Sequence, residues 1–146
     1  METRMANTVM PHAPHQRLSK GDAFQQQFIV SQAVYDGFIS TFNDRNPFHV
    51  SDEAARQKGF AGKIMHGNIL NGFLSFFIGE CLPTKAVVIQ SQEIKFHKPV
   101  HLNDVLTLHA QVADVFESVK TVEIAFHFLN QQSVKVARGK VFISLL

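Results

Sequence analysis

The sequence predicts an α+β domain in which a curved antiparallel sheet wraps around one central helix. Three observations predict it. One strand-like segment opens the ordered part of the chain. Residues 66–82 carry apolar side chains around much of a helical circumference. Everything after Pro83 reads as successive strands with turn signals between them. Helices grouped together in sequence, followed by a run of strands, is the pattern of segregated α+β packing rather than of alternating βα units.

The first strand is "AFQQQFIV", residues 23–30. In "SQAVYDGFISTFNDRN", Ser31 is a good N-cap, and Val34, Phe38, Ile39 and Phe42 fall at helical spacing. The helix should stop before Pro47, because the residue ahead of a proline disfavours the α region. "SDEAARQKG" (51–59) reads as a short helix, with Ser51 as cap and Asp52 and Glu53 in its first turn. Arg56 and Lys58 occupy its last turn, and Gly59 stops it. In residues 66–82, Phe73, Leu74, Phe76, Phe77 and Ile78 predict a helix buried on nearly all sides. Asn68, Asn71, Gly72, Ser75 and Gly79 form a stripe of small or polar residues, which predicts close approach by backbone or ligand. The predicted strands that follow are 85–96, 105–117, 119–130 and 133–146, with hairpin turns at "ESVK" and "NQQS". "TVEIAFHF" puts Val122, Ile124, Phe126 and Phe128 on one face.

With 146 residues the chain suits one domain, and 45% apolar residues, 14 of them Phe, can fill a core. A net charge of +2 with scattered basic residues argues against a nucleic-acid surface. Cys81, the single cysteine, has no internal partner, which fits a reducing compartment and a cytoplasmic location. The N-terminal stretch lacks the apolar core of a secretory signal, and no run of about 18 apolar residues predicts a membrane span. Residues 1–18 read as a mobile tail, whose His12 and His15 are expected to be solvated, and residues 19–146 as the domain.

"FNDRNPFHV" holds the residues most suggestive of chemistry. On an unbroken helix, a five-residue separation would turn Asp44 and His49 about 140° apart. Pro47 forbids that helix, so a helix end and a turn rich in Asn and Pro could bring both side chains to one point. On spacing alone, a solvated Asp and a surface His at an ordinary helix end also fit. "MHG" places His66 and Gly67 at the start of the apolar helix, where unpaired N–H groups and the dipole favour an oxyanion or phosphate; a simple capping role fits as well. His97, His101, His109 and His127 lie on or near strands and read as surface or packing residues. Lys95 and Lys98 are either a solvated strand face or contacts for phosphate.

Taken together, "NDRNPFHVSDEAARQKGFAGKIMHGNILNGFL" and "IKFHKPVHLND" resemble the core signature of the MaoC-like dehydratases, the (R)-specific enoyl-CoA hydratases. The resemblance spans about residues 24–146. It implies a hot-dog fold and a homodimer or higher oligomer with sites near the subunit interface. It also implies reversible addition of water to a trans-2-enoyl-CoA, giving the (R)-3-hydroxyacyl-CoA. Asp44 and His49 match the catalytic pair that holds the water. Gly67 matches the residue whose backbone N–H binds the thioester oxygen, and Asn46 the residue that fixes the turn. His66, Asn68 and Ser75 are implied to contact substrate, Ser75 in the acyl pocket. No metal or redox cofactor is implied, because the thioester itself acidifies C2. Lys63, Asn68 and Asn103 depart from the pattern; Asn103 tolerates positive φ, and a polar Asn68 would suit a shorter or more polar acyl group. The alternatives within the fold are a 3-hydroxyacyl-[acyl-carrier-protein] dehydratase and a non-catalytic thioester-binding protein. A thioesterase would want an acid near the centre of the helix, and Glu80 stands at the wrong end.

Overall fold

The computed structural model describes residues 17–146. The expected tail, with His12 and His15, lies almost wholly outside these residues. Its assigned boundary does not hold, however: Leu18 is 2% exposed and belongs to the core.

The strands are β1 (Ala23–Ile29), β2 (Val87–Phe96), β3 (Val105–Phe116), β4 (Thr121–Leu129) and β5 (Lys135–Leu145). They form one five-stranded antiparallel sheet in the order β1-β3-β4-β5-β2. The last three strands follow one another as the sequence predicts. β2 crosses to the far edge and β1 to the near one. Between β3 and β4 a three-residue 3₁₀ turn ends at Lys120, in the left-handed conformation. Between β4 and β5, Asn130 Oδ1 accepts from the N–H groups of Gln132 and Val134, and Ser133 takes positive φ. Register shifts at Val112/Asp114 and Ile89/Ser91 bend the sheet, because an extra residue on one strand raises the local twist.

The predicted inward face of β4 is buried: Val122, Ile124 and Phe128 at 0% exposure and Phe126 at 4%. It pairs with Leu108, Ala110 and Val112 on β3. Against this face lies α4 (Asn68–Phe76) through Ile69, Leu70 and Leu74, continued by Phe77 and Ile78. Each such side chain, taken fully out of water, contributes roughly 1.5–3 kcal/mol before entropy is counted.

The structure corrects two details of the central helix. Its last turn, Phe77–Cys81, widens to a π-turn, and the carbonyls of Gly79 and Glu80 are taken by Lys85 Nζ at 3.4 and 2.6 Å. The helix is also not buried all round. Phe76 is 49% exposed, the small-residue stripe at Asn68, Gly72, Ser75 and Gly79 is open, and beyond the helix's own neighbouring atoms nothing in the described residues comes within 4 Å of a Cβ built at Gly72 or Gly79. The close approach the stripe predicts is therefore not made within the described chain.

Ahead of α4, α1 (Gln32–Phe42) starts as predicted, with Ser31 Oγ accepting from Val34 N at 3.2 Å. It ends earlier than Pro47 requires, because Asn43 adopts the left-handed conformation (φ 58) and donates back to Ile39. The one-turn α2 (Pro47–Val50) and α3 (Asp52–Gln57) follow. Among the described residues, no helix is long and apolar enough to cross a membrane.

Candidate active site

The turn after α1 is built from its own side chains. Asp44 Oδ1 accepts the Asn46 N–H at 3.1 Å, and Asn46 Oδ1 caps α2 by accepting the Phe48 N–H at 3.0 Å. Pro47 stands at the first helical position of α2, where a missing N–H costs nothing. That single turn aims His49 back toward Asp44, so the helix break that spacing required is present.

His49 is held from two sides. Tyr35 Oη donates to its carbonyl at 2.7 Å, and its Nδ1 lies 2.9 Å from the Ile64 carbonyl. His66, 3% exposed, packs its ring 4.1 Å from that of His49 and 4.5 Å from that of Phe38. Its Nε2 lies 2.9 Å from the Asp44 carbonyl, and its Nδ1 is buried with no partner among the described residues. A carbonyl only accepts, so each contact fixes a tautomer. His49 carries its proton on Nδ1 and leaves the Nε2 lone pair free. His66 carries its proton on Nε2 and leaves the Nδ1 lone pair free. One ligating atom from each of Asp44, His49 and His66 lies within 4.8 Å of the other two.

His66 therefore does not cap α4. Gly67 occupies the N-cap position without a side-chain bond, and its N–H has no partner among the described residues. A Cβ at Gly67 would lie 2.9 Å from the Phe96 ring, so any larger residue would push that exposed ring aside from the backbone it covers.

Asp44, His49, His66, Gly67, Asn68 and Phe96 line one cavity of about 480 Å³, with Lys98 also on its wall. A second cavity of about 720 Å³ meets it at Phe38, Asp44 and Asn68 and runs between α1 and α4, past Phe42, Phe73 and Gln92. Of the seven residues singled out in the sequence, six stand together: Asp44, His49, His66, Gly67 and Asn68 on the cavity, and Asn46 behind the turn. Ser75 does not join them; it is exposed and lies on neither cavity wall. Lys95 faces a different hollow on the outer side of the sheet, beside the stacked rings of His109 and His127. Glu80, the acid a thioesterase would use, is exposed and pairs with Lys85 at the far end of the helix.

The loop between α3 and α4 is anchored by Asp52, whose Oδ1 accepts the Lys63 N–H at 2.8 Å. That bond holds the Asp52 carboxyl below its ordinary range. Lys63, one of the departures, places its Nζ 4.6 Å from the centre of the Tyr35 ring, a cation–π contact. Asn103 takes positive φ (69), as its residue type allows. Tyr35 escaped the sequence reading; its signal was a single tyrosine on the buried side of α1. Tyr35→Phe is expected to lower stability by about 1 kcal/mol, the net worth of one hydrogen bond, and urea unfolding measures it.

A sheet-wrapped helix whose N-terminal end meets a carboxylate, two imidazoles and an open backbone N–H defines a hot-dog protein equipped for acid–base chemistry. The chain belongs to the MaoC-like family: the family model described as "MaoC like domain" matches residues 21–129. An (R)-specific enoyl-CoA hydratase of Rhodospirillum rubrum is 33% identical over 126 residues, covering 86% of this chain and 83% of that one. A 3-hydroxybutyryl-CoA dehydratase of Methylorubrum extorquens is 30% identical over 96 residues, covering 66% of this chain and 61% of its own length. Among solved structures, an (R)-hydratase of Pseudomonas aeruginosa in its unliganded form superposes with a TM-score of 0.79 at 25% identity, covering 88% of this chain and 82% of that one.

Proposed function

We propose that this protein hydrates trans-2-enoyl thioesters of coenzyme A to (R)-3-hydroxyacyl thioesters, and runs the reverse dehydration. The observation that carries this reading is that Asp44, His49 and Gly67 line one cavity, with ligating atoms of Asp44 and His49 within 4.8 Å of each other. Water held by Asp44 and His49 attacks C3. Asp44 takes its proton as the C–O bond forms, and the π electrons move toward the thioester carbonyl. The Gly67 N–H meets the growing charge on that oxygen at a helix end, where the backbone dipole is positive; such donors are worth on the order of 10²–10³-fold in rate. A proton delivered to C2 by the Asp44/His49 pair completes the addition. The residues need no metal or redox cofactor for these steps, since the thioester supplies the electron sink.

The cavity between α1 and α4 suits the acyl chain: Val34, Phe38, Phe42 and Phe73 give it apolar walls, and Asn68 and Asn71 give it polar ones. Lys98 on the wall of the catalytic cavity suits a coenzyme A phosphate. The reading includes a homodimer and a cytoplasmic location, in keeping with the single cysteine. Loss of the enoyl-thioester absorbance of crotonyl-CoA, with chiral analysis of the product, tests it. Hydration to the (R) product supports the reading. An inert protein with crotonyl-CoA and with longer or hydroxylated enoyl-CoA esters, but active on enoyl-[acyl-carrier-protein], moves the function to the carrier-protein dehydratases.

A further inference from the structure

The catalytic cavity gathers three acceptor groups: the Asp44 carboxylate and one ring nitrogen each of His49 and His66. The Ile64 and Asp44 carbonyls commit one ring N–H of His49 and His66 each, so each neutral imidazole keeps one bare lone pair. The His66 Nδ1 is buried and unpartnered among the described residues, and this residue is 3% exposed. Asp44 spends one carboxylate oxygen on the Asn46 N–H and keeps the other. A water molecule donates to at most two of these three groups. A divalent cation satisfies all three.

We propose that Asp44, His49 and His66 form a 2-His-1-carboxylate site for a first-row divalent cation such as Zn²⁺, which displaces the catalytic water and arrests hydration. The donor set is the type that imidazole-preferring metals take in three-ligand sites with open positions. Both histidines already show the outer arrangement of metal-binding imidazoles, the second ring N–H given to a backbone carbonyl. Ligands of one Zn²⁺ stand about 3–3.6 Å apart, given bond lengths of about 2.0–2.2 Å. The three ligating atoms here lie within 4.8 Å of one another, so the site closes on the ion, with the exposed Asp44 turning its oxygen not bonded to the Asn46 N–H toward it. The cation would be a competitor, not a cofactor: it engages the same lone pairs that orient the water and the carboxylate that takes its proton.

The inhibitory half rests on the hydratase reading; the binding half does not. The test is titration of the chelator-stripped full chain with Co²⁺ and Zn²⁺. Co²⁺ binding is followed by visible absorption and Zn²⁺ binding by calorimetry, and crotonyl-CoA hydration is assayed in parallel. One equivalent per chain is expected at this site, weakened about 100-fold or more in His66→Gln and in Asp44→Asn. Loss of an outer partner alone costs about 10–100-fold, and loss of a ligand costs more. Asp44 is exposed, so its variant folds even if the buried His66 variant does not. Zn²⁺ should abolish hydration, with reversal by chelator. Absence of binding, binding indifferent to Asp44→Asn, or hydration that rises with Zn²⁺ overturns the proposal. Triad-dependent binding in a protein that hydrates no enoyl thioester upholds the site and overturns the hydratase reading. Hydration without cation binding does the reverse.

Discussion

Asp44→Asn is expected to lower kcat for crotonyl-CoA hydration by about 10²–10⁴-fold, the usual worth of a positioned general base, with the fold unchanged. The substitution keeps an oxygen to receive the Asn46 N–H at the turn, and the His66 contact is to the Asp44 backbone carbonyl, which the change does not touch. Only the carboxylate's capacity to take a proton is removed. Asp44 is exposed, so no buried charge is lost and the unfolding free energy from urea titration should stay within about 0.5 kcal/mol of wild type. A variant that hydrates at the wild-type rate takes Asp44 out of the mechanism. A variant that loses activity and stability together attributes the loss to the turn rather than to the base.

Gly139→Ala should destabilise the domain by about 1–3 kcal/mol or more, the range for overfilling a packed interior. β5 passes β2 so closely that a Cβ at residue 139 would lie 1.8 Å from the Glu93 carbonyl oxygen and 2.8 Å from the Phe126 ring. The ring has room to tilt, but the carbonyl belongs to the β2–β5 ladder and cannot yield without parting the strands. Gly139 faces Phe126 on one side and Ile94 on the other in the register, so the damage would fall on the same sheet edge that carries Phe96 over Gly67. The control is Gly37→Ala, on α1 with nothing within 4 Å. That change should stabilise by about 0.5–1 kcal/mol, through the lower backbone entropy of alanine in a helix. Urea midpoints of the two variants should move in opposite directions; a neutral Gly139→Ala would mean the edge strands separate freely.

Much of this arrangement was legible in the residues. The alternation of Val122, Ile124, Phe126 and Phe128 marked the inward face, because strand side chains repeat every two residues. Ser31 and Pro47 bracketed the first helix, and the structure moved only its end, through the positive φ of Asn43. Other features were hidden for definable reasons. Burial of the central helix was overestimated at Phe76, because apolar content does not say which flank a sheet will cover. Ser75 and Asn68 share the helical stripe, yet only Asn68 reaches the cavity wall. Helical spacing puts residues on one face, but the cavity occupies only the end of that face nearest Asp44. Leu18 looked like tail, because a single apolar residue among polar ones carries no period.

The sequence by itself determined which groups exist to do chemistry and that a break at Pro47 must part Asp44 from His49 along the chain. It determined the strand faces and the glycine at the helix start as well, since all of these depend on local periodicity, on caps and on φ. Only the tertiary structure decided that His66 turns its ring away from its own helix to hold the Asp44 carbonyl, and that Tyr35 and Ile64 fix His49 from opposite sides. It also decided that β2 crosses to the sheet edge and lays Phe96 on Gly67. Each of these joins residues far apart in sequence through contacts a few ångströms long, and a one-dimensional pattern holds no record of which distant surfaces will meet.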